Sequence, residues 1–309
     1  MSVDRAATER PQQASDATTS VGLAVPRSLA VPNAVRRLTA EFLGSLLLAA
    51  IVVGSGIAAQ SLSPGDVGLQ LFENAIATAL GLFAIILIFG PVSGAHFNPV
   101  VSLVDSALGQ RPWGETLAYI PVQVAGCITG AVTANLMFGA SALSWSGTDR
   151  LTGPHFLSEI VATAGLVLVI FSLVRSGRAQ FAPAAVGAYI GAAYFFTSST
   201  SFANPAITIG RMFSDSFAGI APGSAPGYIT AQLIGGAVGW FLILHLYPSV
   251  SAGSLAPVRQ KTATTPSASA ASPADRENGL PPVPNHENGS QPVPNHENGS
   301  PLAPNRAGV

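Results

Sequence analysis

The chain has 309 residues and a formal net charge of -1 at pH 7. Only 9% of its residues are charged, against roughly 25% in an ordinary soluble domain, and 48% are hydrophobic. A water-solvated globule of this size is excluded, and so is a nucleic-acid partner, because there is no basic excess to neutralise phosphates. The one cysteine, Cys127, rules out an intrachain disulfide and a thiolate metal cage, and in an apolar helix it reads as a small packing residue.

The charge is unevenly spread. The 213 residues from Leu38 to Val250 hold 13 charged side chains, and the other 96 residues hold 16. Residues 1–35 are rich in Ala, Ser, Thr, Pro and Gln without an apolar period, and read as a disordered arm. The first thirty residues lack the apolar core of a signal peptide, so the first spanning helix is expected to drive insertion. Six apolar runs follow, at about 38–59, 71–90, 115–138, 157–175, 182–200 and 228–248, each near the roughly 20 residues that cross a bilayer. The bilayer is thus the first partner. Ser61–Asp66 and Arg175–Arg178 are examples of the turn and charge signals between them.

Two shorter apolar segments, 93–106 and 201–214, each carry an Asn-Pro pair. Asparagine caps a helix well, and proline at the first helical position has no amide hydrogen to leave unpaired. About ten residues of helix cover half a membrane, so these read as re-entrant half-helices. From residue 251 the chain returns to polar composition, and PVPNHENGSQ at 282–291 is followed by PVPNHENGSP at 292–301. Pro, Asn and Gly in every copy read as a disordered tail, and His286 and His296 read as solvated side chains, not metal ligands.

Six spans put both termini on one side. Arg36, Arg37, Arg111, Arg175, Arg178, Arg259 and Lys261 fall on that side, with only Arg150 and Arg211 opposite. By the positive-inside rule both termini are expected in the cytoplasm and the chain in the inner (plasma) membrane.

The chain also repeats itself. Tyr119-Ile120-Pro121-Val122-Gln123-Val124-Ala125-Gly126 matches Tyr228-Ile229-Thr230-Ala231-Gln232-Leu233-Ile234-Gly235 at Tyr, Ile, Gln and Gly. Upstream of each lies an Asn-Pro pair, and further upstream an intramembrane glutamate, Glu41 or Glu159. Three spans per half make the second copy (157–248) inverted against the first (38–138), an arrangement whose broken helices meet near the midplane. The expected fold is an all-α membrane protein: a channel domain over 36–250 with six transmembrane helices and two half-helices in a 3+3 inverted repeat.

On these residues, SGAHFNPVVS at 93–102 and FANPAITIG at 202–210, the chain resembles the aquaporin and aquaglyceroporin (major intrinsic protein) family over about 38–250. The resemblance implies a homotetramer with one pore per subunit, no cofactor and no enzymatic activity. It implies that the motifs Asn98-Pro99-Val100 and Asn204-Pro205-Ala206 meet tip to tip, with valine where the family usually has alanine. It also implies that Glu41 and Glu159 brace the half-helices, with His96, Gln123 and Gln232 as support. His96 as a pH gate, the glutamates as a proton relay and the glutamines as plain interhelical packing are the competing readings.

Four positions set selectivity in that family, and the resemblance carries them to Thr78, a fifth-span residue, Ser201 and Ile207. Ungapped counting gives Ala192 for the fifth-span residue, whereas the glycine pattern gives Tyr194. Ile207 stands where the family almost always has arginine. The nearest arginine, Arg211, is four residues on and reads as a cap of the half-helix, with a displaced filter residue as the competing reading. Thr78 and Ile207 are expected to widen and neutralise the constriction. The implied function is a passive path for small neutral solutes such as glycerol, urea or hydroxylated metalloids, arsenous acid foremost. A water-selective pore and a non-transporting structural or adhesive membrane protein of the same fold stand as alternatives.

Overall fold

The computed structural model describes residues 34–248. The readings of the N-terminal arm before residue 34 and of the tail with its ten-residue repeat lie outside the described residues. The described chain is helical: α1 Ala34–Leu62, α2 Val67–Ser93, α3 Pro99–Ala107, α4 Trp113–Met137, α5 Gly153–Arg175, α6 Ala182–Phe196, α7 Pro205–Gly210 and α8 Ala225–Leu246. Helices α1, α2, α4, α5 and α8 are long and apolar enough to cross a membrane. Their outer sides expose large apolar side chains, among them Leu80, Leu117, Leu157 and Phe241, a surface that lipid can solvate and water cannot.

The sixth long helix departs from expectation. The apolar run 182–200 is helical only to Phe196, 15 residues, or about 22 Å at 1.5 Å per residue. A short 3-10 turn, Ala179–Phe181, extends it at the start. It stops because Thr197 caps it, the Oγ1 donating to the Ala193 carbonyl at 2.6 Å, after which the chain must present amides elsewhere.

The repeat organises the packing. Helix α1 lies along α4, and α5 along α8. A glycine permits each close approach: a Cβ at Gly126 would fall 2.5 Å from the Phe42 carbonyl oxygen, and one at Gly235 would fall 2.5 Å from that of Ile160. These are the glycines of the duplicated octapeptide. Cys127, beside the first, is buried with its thiol directed to the Ser45 carbonyl at 3.6 Å. We expect Gly126→Leu to cost about 1–3 kcal/mol or more by overpacking. In a thermal melt of detergent-solubilised protein its midpoint should fall well below the parent's, and an unchanged midpoint would show that the helices can part without penalty.

The start of α1 and the start of α4 meet through Arg37 and Glu115, 2.7 Å apart. The end of α5 meets the end of α8 through Arg175 and the Tyr247 carbonyl. The face holding these ends, where α1 begins and α8 finishes, is the terminal face below. The opposite face is closed over by the segments 139–152 and 211–224.

Candidate functional site

Both half-helices begin as their sequence requires. The Oδ1 of Asn98 accepts from the Val100 amide at 2.9 Å, and that of Asn204 from the amides of Ala206 at 2.9 Å and Ile207 at 3.3 Å. Pro99 and Pro205 open the helices. The two tips are also tied to each other. Asn98 Nδ2 donates to the Ala203 carbonyl and Asn204 Nδ2 to the Phe97 carbonyl, both at 2.8 Å. One N–H of each amide is therefore spent across the repeat, and one remains to face the space beside it.

The segments before the tips are held by the two glutamates in matching fashion. Glu41 is wholly buried and accepts four hydrogen bonds: from Ser93 Oγ at 2.6 Å, the His96 amide at 3.0 Å, the Phe97 amide at 2.8 Å and Gln123 Nε2 at 2.8 Å. Glu159 accepts from Ser199 Oγ at 2.6 Å, the Phe202 amide at 2.9 Å, the Ala203 amide at 2.8 Å and Gln232 Nε2 at 2.7 Å. Turning successive amides toward one carboxylate takes left-handed backbone. Ala95 and Phe97 have φ of 52° and 49°, and Ser201 and Ala203 have 51° and 48°. Such residues are strained for a non-glycine, and the carboxylates hold them there. His96 joins the same network, its Nδ1 2.9 Å from Ser102 Oγ.

A cavity of about 710 Å³ runs beside both asparagines. At the terminal face it begins at Gln110, Arg111 and Gln180, and toward the opposite face it is bordered by Thr78, Tyr194, Ser201, Ile207 and Arg211. Its mouth at Arg111 is electrically balanced. Arg111 lies 2.9 Å from Asp105 and 3.2 Å from Glu115 and covers the Tyr119 ring at 4.7 Å.

At the end bordered by these residues the structure amends three expectations. Ala192 is exposed and does not border the cavity, whereas Tyr194 is buried and does. Two residues along a helix differ by about 200° in direction, so only one of the pair can face inward. Second, the room left by a threonine at 78 is not open, because the Tyr194 hydroxyl reaches to 3.0 Å from Thr78 Oγ1. Third, the ring is not neutral. Arg211 does end α7, its amide bonding back to the Ile207 carbonyl, but its side chain is buried at the cavity wall. Its guanidinium lies 3.4 Å from the Phe202 ring centroid, and Nε donates to the Ala218 carbonyl. Ser201 Oγ and the aliphatic Ile207 complete the border, and the serine hydroxyl has no hydrogen-bond partner among the described residues.

Sequence reasoning passed over Phe202 and Arg150. Phe202 stands two residues before Asn204, as His96 stands two before Asn98, so the repeat itself marks it. It meets Tyr228 edge to face at 5.0 Å, as His96 meets Tyr119 at 5.9 Å. Arg150 approaches Phe202 at 5.7 Å and anchors the 139–152 segment on the carbonyls of Gly219 at 2.6 Å and Phe217 at 2.7 Å. Burial pulls its pKa below the ordinary arginine value. At the other mouth Arg111 is held above that value: burial lowers it, but Tyr119 and Asp105 outweigh the burial.

A duplicated span order with paired glutamates and crossed Asn-Pro caps is a highly specific arrangement, and the family described as Major intrinsic protein matches residues 28–203 of this sequence. The chain belongs to that family. The match ends one residue before Asn204, so the second Asn-Pro half-helix and α8 of this major intrinsic protein are carried by the structure and by individual relatives. It is 49% identical over 201 residues to "Aquaglyceroporin AqpS" of Rhizobium meliloti (strain 1021), covering 65% of this chain and 85% of that one. It is 31% identical to "Probable aquaporin NIP-type" of Nicotiana alata, covering 64% and 73%. Its fold is similar to that of the aquaglyceroporin from Plasmodium falciparum, with a TM-score of 0.54 at 23% identity, covering 68% of this chain and 95% of that one. The protein is thus a multi-pass membrane protein with the fold of its family.

Proposed function

We propose that the cavity is a passive path for small neutral solutes, with glycerol-like polyols, urea and hydroxylated metalloids as candidates and arsenous acid foremost. The observation that carries this reading is the single cavity passing both asparagines and ending at a border of mixed character. Thr78, Tyr194, Ser201 and Arg211 offer hydrogen-bonding groups, while Ile207 offers hydrocarbon. A polyol has the same two characters, hydroxyls and a carbon skeleton, and can exchange its water for these groups at little cost. The relative from Rhizobium meliloti, an aquaglyceroporin by name, supports the same class.

The tips act on charge. Each half-helix directs the positive end of its dipole, about half an elementary charge, toward the midplane, so a cation meets repulsion from both. A neutral solute instead meets the free N–H of Asn98 and of Asn204, binds weakly and leaves. Such a path needs no catalytic residue and no cofactor. We further propose a homotetramer in the inner (plasma) membrane with the terminal face cytoplasmic, on the strength of Arg37, Arg111, Arg175 and Arg178 gathered there.

Stopped-flow light scattering on proteoliposomes tests the reading with gradients of water, glycerol, urea and arsenous acid. Glycerol or arsenous acid should equilibrate at least about tenfold faster than through protein-free vesicles, equivalent to about 1.4 kcal/mol of barrier. Solute rates equal to those of empty vesicles beside rapid water flow would favour a water-selective pore. Equality for every gradient would favour a non-transporting membrane protein.

A further inference from the structure

The two ends of the cavity follow one plan and differ in charge. At each, an arginine packs against the aromatic pair made by the residue two before the asparagine and the tyrosine of the duplicated octapeptide. At the terminal face Arg111 covers Tyr119, 4.7 Å from its ring, with Nη2 3.5 Å from His96 Nε2. At the opposite face Arg211 covers Phe202, which in turn meets Tyr228. Arg111 has two carboxylates, Asp105 and Glu115, within 4 Å. Among the described residues Arg211 has none, and neither has Arg150. Glu159, whose oxygens take the amides of Phe202 and Ala203, is not within that distance of either guanidinium.

An arginine that is only 3% exposed and faces no carboxylate is an expensive object inside a protein. It is also fixed. The ring stack and the bond to the Ala218 carbonyl hold the plane of the guanidinium, while Nη1 and Nη2 make no hydrogen bond to any described residue. Arg211 borders the cavity together with Tyr194, Ser201 and Ile207. It is therefore a rigid cation with no carboxylate within 4 Å among the described residues, and its free donors border the same end of the cavity as the Ser201 hydroxyl, which is unpartnered among those residues.

We propose that Arg211 is the charge-selecting residue of this pore, excluding cations at the constriction and donating hydrogen bonds to the neutral solute. The inference rests on reading the cavity as the solute path. A cation there meets a like charge that no carboxylate within 4 Å neutralises, in a poorly screened site, in addition to the helix tips deeper in. A urea or diol oxygen instead accepts from the free end of the guanidinium while its own hydrogens reach Ser201. Arg111 cannot act in the same way, because Asp105 and Glu115 cancel its field.

The test uses the full chain in proteoliposomes and two probes of nearly equal shape, urea and the guanidinium ion. The parent should pass urea and exclude guanidinium. With insertion matched, Arg211→Gln should raise the guanidinium-to-urea permeability ratio at least about tenfold. Arg211→Lys keeps the charge and should hold the ratio within roughly threefold of the parent. A residue that merely braced the loop would lower both fluxes together, so an unchanged ratio in Arg211→Gln overturns the proposal. A lysine variant as leaky as the glutamine variant overturns it as well. Should Arg211→Gln fail to insert, Arg211→Met, of similar length and neutral, must show the same rise, and Arg211→Lys must still exclude guanidinium. A parent that passes no urea above protein-free vesicles overturns the reading of the cavity itself, whereas a urea-permeable parent with an unmoved ratio in the variants overturns only the role of Arg211.

Discussion

Glu159→Ala is expected to leave the protein unable to hold its second half-helix, with little or no folded protein recovered. Four donors converge on that carboxylate, two backbone amides, a serine hydroxyl and a glutamine amide, all between 2.6 and 2.9 Å, and the site is fully buried. A buried donor left without an acceptor costs about 1–3 kcal/mol, so several together reach the size of a whole domain's stability, about 5–15 kcal/mol. The loss compounds, because Ser201 and Ala203 sit at positive φ and keep that conformation only while their neighbourhood demands it. Glu159→Gln retains one acceptor oxygen and should fall between parent and alanine. Fluorescence-detected size exclusion and thermal melts of the three proteins read the order directly. An alanine variant that melts with the parent would mean that the tip is held by the Asn204 to Phe97 bond and not by the glutamate. Glu41→Ala should behave alike, since the first repeat copies the same four bonds.

Ile207→Arg is expected to lower glycerol and arsenous acid permeability by at least about tenfold, an added barrier of about 1.4 kcal/mol, while water permeability falls far less. Ile207 is buried on the cavity wall, one helical turn from Arg211. A second guanidinium there would replace the aliphatic side chain in a border rich in hydrogen-bonding groups, removing hydrocarbon on which a polyol rests its carbon skeleton. It would also stand four residues from a like charge on the same helix, which is unfavourable in itself. Water needs neither the hydrocarbon nor the width. The quantity to follow is the ratio of solute to water permeability in vesicles of matched protein content. If that ratio held or rose, the solute-limiting contact would lie instead between Tyr194 and Thr78.

Much of this was legible in the chain before any fold. The spans follow from hydropathy because lipid imposes one simple rule: a stretch of about 20 residues must be apolar and internally hydrogen-bonded. The half-helices follow from Asn98-Pro99 and Asn204-Pro205 because capping is local, decided within three residues of chain. The pairing of the halves follows from the duplicated octapeptide, whose glycines lie where the backbones of α1 and α4, and of α5 and α8, come close. The limit of such reading shows at the fifth span. Hydropathy carried the helix on to residue 200, whereas the structure ends it at Phe196, with Thr197 capping it and the amides beyond turned to Glu159.

The constriction was the part least determined by sequence. Counting along the chain placed Ala192 and Tyr194 two residues apart and gave no means to choose, since their directions depend on how α6 is rotated against its neighbours. A threonine at 78 and an isoleucine at 207 suggested a wide, neutral ring. Both inferences treated each position alone. In the folded protein a tyrosine from one helix fills the space left by a threonine on another, and an arginine from beyond the half-helix occupies the cavity wall. Chain order alone specified the spans, the caps and the repeat, because their physics is local or set by the bilayer. Which side chains share that end of the cavity was decided by tertiary structure, because Thr78 and Tyr194, 116 residues apart, meet only through the packing of α2 on α6.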